Sequence, residues 1–419
     1  MSTLKVNKLR DTAGSADAIV LDPNGGAVLA GVTTVTSVKV GAAVTISESG
    51  IEATGVGITC ANLNGGQFGR RNLIINGAMQ VAQRGNVSSV TSGYGGADRF
   101  KFDRSGAAVV TLRQQGVGNS PTDQGFGFCH QIDVTTADDS LAAGDYALLS
   151  YRFEGQDLQQ LKKGTANAQQ VTLSFYIRSP KTGTHIVELV DQSNSARHVN
   201  KAYTVSVADA WEKKTVTFPM ETSNTITNDN ARRMDLNWWL AAGSTYSSGT
   251  LQTDWGADTD ANRAVGQVNC MDSTDNNFYI TGVQLELGSQ ATAFEHREIS
   301  EELAMCQRYF YRHGDLSGTR NYALMGVGMI GHNGSTDTGK IQISSPVRMR
   351  TQPSAAAIPS GAEFIISTGN GGEGTSDMYC NSAPALWTAA SSDINFWVDF
   401  NRSSGGNPDR GIACIVHAN

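Results

Sequence analysis

Aromatic rings set among amides and carboxylates are what a sugar-binding surface needs. A flat ring stacks on the apolar face of a pyranose, and short polar groups at the rim hold its hydroxyls. Trp238, Trp239, Tyr246 and Trp255 fall in one such stretch, with Asp235, Asn237 and Asp254 among them. Neighbouring Trp238 and Trp239 on a strand point to opposite faces, so one of the pair belongs to a core. Trp238 and Tyr246 are therefore candidate ligand-stacking residues. Trp387, in a Ser/Ala/Pro-rich stretch, is a third. Packing competes with binding as the role of each. Trp211, just ahead of a strand, reads as framework.

Nothing in the sequence assembles a catalytic site. There is no Gly-x-Ser-x-Gly elbow, His-Glu-x-x-His pair, phosphate loop or dinucleotide fingerprint. A glycosidase would need two carboxylates across a sugar bond, and no spacing selects a pair from 39 acidic residues. The six cysteines are scattered and read as small buried thiols, not as a metal knuckle or disulfide framework. The expectation is a non-enzymatic chain without a cofactor. Asp258-Thr-Asp-Ala-Asn262 has the alternating oxygens of a calcium loop but lacks the glycine and distal glutamate of an EF-hand. Asp272-Ser-Thr-Asp-Asn-Asn277 is a second polar loop. A structural calcium in one of them is an alternative to hydrated turns.

The elements that must position these residues are strands. In 278–287, Phe278 and Ile280 share a face, and Val283, Leu285 and Leu287 continue at period two after a slip of one residue. Gly282 sits at the slip, where a β-bulge would restore a single buried face. Alternation recurs at 171–178, 203–207 and 214–218, with turns such as Pro180-Lys-Thr-Gly183 between. This is the pattern of an antiparallel sandwich. After 287 the period becomes helical. Ser300 is a plausible N-cap, Glu301 and Glu302 suit a first turn, and Leu303, Cys306 and Phe310 share a face. The spacing predicts one helix over 300–313.

Three blocks in order carry a family resemblance. Thr281-Gly-Val-Gln-Leu-Glu286, Ala291-Thr-Ala-Phe-Glu-His-Arg297 and Glu301-Glu-Leu-Ala-Met-Cys-Gln-Arg-Tyr309 resemble the end of a module of bacteriophage tail-fibre proteins. The usual family form has Pro where this chain has Ala293. Asn72-Leu-Ile-Ile-Asn-Gly-Ala-Met-Gln-Val-Ala-Gln-Arg-Gly85 with Ala97-Asp-Arg-Phe100 resembles its opening. The resemblance implies a jelly-roll sandwich similar to carbohydrate-binding modules. Leu4-Lys-Val-Asn-Lys-Leu-Arg-Asp-Thr-Ala-Gly14 resembles the start of phage tail-fibre and related virion proteins, where the N-terminus docks on the particle. Residues 340–353 resemble a strand and turn of C-terminal fibre domains.

The expected class is mainly β. A thin, trimeric, intertwined β shaft with a virion-attachment segment occupies 1–70, and a jelly-roll sandwich occupies 71–298. A connecting helix follows at 299–314, then a C-terminal β-sandwich domain at 315–419. Shaft strands of about three residues cannot bury a core alone. Val44 and Ile46 there, with Leu303, Cys306 and Phe310 on the helix, are therefore candidate trimer-interface residues. A net charge of -7 and only 17% charged residues give no basic footprint for nucleic acid. No stretch matches a membrane span or a signal peptide. These features suit a homotrimeric virion protein, a tail appendage assembled in the host cytoplasm. It would dock through its N-terminus and bind host-surface glycan or protein. The alternatives are a polysaccharide-depolymerising tailspike and a purely architectural capsid-decorating fibre.

Overall fold

The computed structural model describes residues 70–193, 196–311 and 344–351 in full, and elsewhere the backbone of individual strands. The chain divides into two units, Met1–Ala61 and Asn62–Asn419. In the first unit, Ser37–Val40, Val44–Ser47 and Gly50–Ala53 form an antiparallel meander within the one chain. The side chains of Val44 and Ile46 lie outside the described residues.

The second unit is built on a sandwich of two antiparallel sheets. One has six strands in the order Glu212–Phe218, Val171–Arg178, Asn277–Leu287, Cys129–Thr136, Val109–Gln115, Val87–Val90. The other has seven: Gly256–Ala257, Arg197–Val205, Gly183–Asp191, Arg232–Ala242, Tyr146–Glu154, Phe100–Ser105, Ser92–Tyr94. Alternation fills the space between them. Val171, Leu173, Phe175 and Ile177 face inward from the first sheet, and Leu236, Trp238 and Leu240 from the second. Trp238 stands edge-on to Phe175, ring centroids 5.8 Å apart, and tilted against Phe100 at 6.3 Å.

Asn277–Leu287 lies inside the six-stranded sheet, between Val171–Arg178 and Cys129–Thr136. The register shifts between Ser174 and Tyr176, opposite Thr281 and Gln284. Gly282 sits in this bulge at φ +61°, and a Cβ there would lie 2.6 Å from the Phe126 ring. A side chain is thus excluded by both backbone and space.

The helix spans Ile299–Gln307, shorter than the sequence pattern implied. Its N-cap is Glu298, so Ser300 lies inside the first turn. Phe310–His313 is a strand, paired with Cys414–His417. The β-favouring run Tyr309-Phe-Tyr311 meets a partner strand about a hundred residues away, and that pairing overrides helical spacing. Further on, Thr336–Ser344 pairs with both Gly328–Asn333 and Asn395–Ser403.

Candidate functional site

The blocks at the two ends of the sandwich module meet in space. The Asn72 side chain donates from Nδ2 to the Val283 carbonyl at 3.0 Å. Its Oδ1 accepts from the amides of Ile74 at 2.9 Å and Leu285 at 3.1 Å. A Cβ at Gly77 would lie 2.1 Å from the Val283 carbonyl oxygen, so glycine lets the opening segment press on the central strand. Glu286 accepts from the backbone amide of Thr292 at 2.8 Å and from its hydroxyl at 2.7 Å, and Gln284 Oε1 accepts from Glu295 N at 2.8 Å. Arg297 reaches back to the carbonyls of Asn72 and Ile74 and to Glu302, whose carboxylate also accepts from the amide of Asn76. Burial pushes the Glu302 carboxyl up, opposed by Asn76 and Arg297. These residues lock the start and finish of the module together.

Beside this lock is a cavity of about 210 Å³ between the sandwich and the segment that leaves it. Arg99 lies in its wall with its guanidinium between two rings, 3.4 Å from the Tyr309 centroid and 4.7 Å from that of Tyr151, and donates to the Arg152 carbonyl at 2.6 Å. Arg84 lies 3.6 Å over the Phe310 ring and 3.7 Å from Asp98. Burial lowers the Arg84 pKa, opposed by Asp98, and burial raises that of Asp98, opposed by Arg84. Glu154 is held bidentately by Arg308 at 2.8 and 2.7 Å.

A second site lies on the outer face of the seven-stranded sheet. A helical turn, Ser244–Ser247, presents Tyr246 edge-on to Tyr146, ring centroids 5.6 Å apart, and tilted on Trp239 at 5.4 Å. Both tyrosines are half-buried, while Trp239 beneath them is covered. Arg263 borders the rings, 5.4 Å from the Trp239 centroid. It is fixed by two bonds to fully buried Glu188, at 2.7 and 2.9 Å, and Asn237 donates to the same carboxylate at 3.0 Å. Burial would lower the Arg263 pKa, but Glu188 outweighs it and the net shift is upward. A half-buried aromatic ring beside a rigid guanidinium can pack on the apolar face of a sugar while the guanidinium donates to its hydroxyls.

Of the candidate stacking residues that are described, Tyr246 is half-buried and only Trp238 is fully covered. Trp238 is 0% exposed in the main core and cannot meet a ligand, because alternation turns its partner Trp239 to the outer side. Trp387 lies outside the described residues. Trp255 donates to the Pro219 carbonyl at 2.8 Å, and Trp211 to that of Asn119 at 3.1 Å. Of the candidate interface residues, Cys306 and Phe310 are 1% and 2% exposed within a single chain, against their own sandwich, so neither is open to a second copy. Leu303 is half-buried.

In the first polar loop, Asp260 and Asp258 turn toward Arg263, at 3.5 and 3.9 Å. In the second, Asp272 pairs with Lys181 at 2.6 Å and accepts from Asn276 at 2.7 Å. Among the described residues no group of three or more side chains is placed to hold a metal ion. Cys129, Cys270 and Cys306 are buried free thiols. Arg232 and Arg233 pair with Asp235 and Asp229. The arginine-walled cavity was missed. Its one sequence signal is Ala97-Asp-Arg-Phe100, a charged pair set between small and aromatic residues.

No protein-family model and no curated protein matches the chain. Among solved structures, the chain is similar to the enzymatically active domain of bacteriophage CBA120 tailspike protein 4. The identity is 12% over 52% of this chain and 21% of that chain, with a TM-score of 0.29. It thus spans about a fifth of the tailspike chain. It is similar to a CBM4 structure at 12% identity, over 51% of this chain and 98% of that chain, with a TM-score of 0.26. It is similar to a family 11 carbohydrate-binding module of a Clostridium thermocellum cellulosomal cellulase at 12% identity, over 49% of this chain and 97% of that chain, with a TM-score of 0.25.

Proposed function

We propose that this chain is a host-recognition fibre of a bacteriophage tail, which binds surface glycan through its two-sheet domain without cleaving it. The observation that carries the reading is the outer aromatic cluster. Tyr246 and Tyr146 are half-buried in contact with each other, and Glu188 holds the Arg263 guanidinium in one position. Fixed donors beside an apolar surface are the elements of sugar recognition. The tail-fibre assignment is supported by the three sequence blocks. Residues quoted for that resemblance meet across more than two hundred positions, Asn72 with Val283, Leu285 and Arg297.

Binding is favoured over cleavage by the state of the nearby acids. A glycosidase presents two carboxylates to the scissile bond. Here Glu188 is fully buried, and Asp258 and Asp260 turn toward Arg263. In this account the chain assembles as a homotrimer in the host cytoplasm, docks on the virion through its N-terminal segment, and gains strength from three weak sites. A glycan-array screen with the full-length chain, with a reducing-sugar assay on any glycan bound, tests binding against depolymerisation. Release of new reducing ends would favour the tailspike alternative.

A further inference from the structure

The cavity beside Arg99 has more positive charge than its own acids balance. Its two wall carboxylates are already paired, Asp98 with Arg84 and Glu154 with Arg308. Arg232, also on the wall, pairs with Asp235. That leaves Arg99, Arg152 and Arg350 lining the cavity without a carboxylate in ion-pair contact among the described residues, although Arg99 acts electrostatically on Asp157 and Arg152 on Asp103. Arg350 is held there by backbone and side-chain bonds to Arg308 and Asn230. Three polar atoms of the wall are buried with no hydrogen-bond partner: Nε of Arg99, Nε of Arg152 and the Tyr309 hydroxyl. Arg99 and Tyr309 are themselves 7% and 9% exposed.

Burying the Arg99 guanidinium without an ion-pair partner is costly, and leaving donors of the wall unmade adds to the cost. The backbone adds more, because Arg99 sits at φ +80°, a conformation that arginine rarely adopts. Strain, unpaired charge and unmade bonds thus converge on one cavity. The walls are not purely polar, since the rings of Tyr94, Phe153, Tyr309 and Phe310 also line it. Exposed Arg232 and half-buried Tyr94 and Arg350 mark its mouth.

We propose that this cavity is a second binding site, which takes one monosaccharide unit bearing an oxyanion, a carboxylate or a phosphate. The oxyanion lies between Arg99, Arg152 and Arg350, and the sugar ring lies along the aromatic wall. The volume suits a single ring and not an oligosaccharide. The proposal rests on the glycan-binding reading above and adds an acidic unit to the glycan recognised. Arginine is suited to this task because its planar fork meets carboxylate and phosphate oxygens in pairs.

Titration calorimetry of the full-length chain tests it, with glucuronate, glucose 6-phosphate, glucose and inorganic phosphate as probes at low salt. The expected result is saturable binding of glucuronate or glucose 6-phosphate, and which of the two binds identifies the oxyanion. Glucose should not bind, and inorganic phosphate should bind at least tenfold more weakly than the favoured sugar. Arg152→Gln and, separately, Arg350→Gln should each weaken that binding tenfold or more. Two variants keep the test decisive if one of them fails to fold. The proposal is overturned if neither acidic sugar binds, if inorganic phosphate binds as well as they do, or if folded variants bind undiminished. A chain that binds arrayed glycan through Tyr246 but ignores both acidic sugars overturns the cavity assignment alone. A chain that binds no arrayed glycan overturns the reading beneath it.

Discussion

Asn72 Oδ1 accepts a hydrogen bond from the Leu285 amide at 3.1 Å, across 213 positions of the chain. Asn72 also binds Val283 and Ile74, so one buried side chain ties the first segment of the module to its central strand. Asn72→Ala leaves those groups unsatisfied, at about 1–3 kcal/mol each. A loss of about 3 kcal/mol corresponds to a fall in melting temperature of roughly 6–12 °C. Differential scanning calorimetry checks this, and a shift below about 2 °C would show that water replaces the side chain.

Glu188 and Arg263 supply a second test. Arg263→Met leaves a fully buried carboxylate without its cation, which typically costs about 3–5 kcal/mol. Adding Glu188→Gln removes the stranded charge and should restore more than half of that loss. Urea unfolding of the single and double variants measures it. Equal stability of the two variants contradicts the pairing.

How much of this could be read from sequence depends on how local each cause is. Period-two alternation and the slip at Gly282 are local, and both appear in the strand Asn277–Leu287. The opening and closing blocks were also visible, although their contact through Asn72 and Arg297 was not. The end of the helix was misjudged because Phe310–His313 gains a distant partner strand, which no local period reveals. Trp238 and Trp239 look alike in sequence, and only register tells which one enters the core. The cavity is the least legible feature. Arg99 meets Tyr309 across 210 positions, a contact that no local pattern shows.

His130 sets an acid limit on stability. It is fully buried, accepts the Ala97 amide on Nδ1 at 3.2 Å, and burial lowers its pKa to about 4. The folded chain therefore keeps this ring neutral where the unfolded chain, with an ordinary value near 6.5, binds a proton. This contribution is complete above pH of about 6.5 and is lost as pH falls toward about 4, by roughly 3 kcal/mol in all. His130→Asn, which keeps an acceptor without titrating, should flatten the decline over that window. Parallel urea midpoints for both proteins across it would contradict the assignment.

The trimer and docking claims are tested by mass and by incorporation. Full-length chain should run as three copies by mass photometry. Removal of residues 1–25 should leave a folded trimer that no longer joins particles. A stable folded monomer at micromolar concentration, or particles that still carry the truncated chain, would contradict the corresponding claim.

The most direct test of the central claim is binding of the full-length chain to arrayed bacterial surface polysaccharides, beside Tyr246→Ala. The account predicts saturable binding to a subset of glycans and no new reducing ends. Tyr246→Ala should weaken that binding about tenfold, equivalent to about 1.4 kcal/mol, with the fold intact. A folded trimer that binds nothing, or binds equally well without Tyr246, would contradict it.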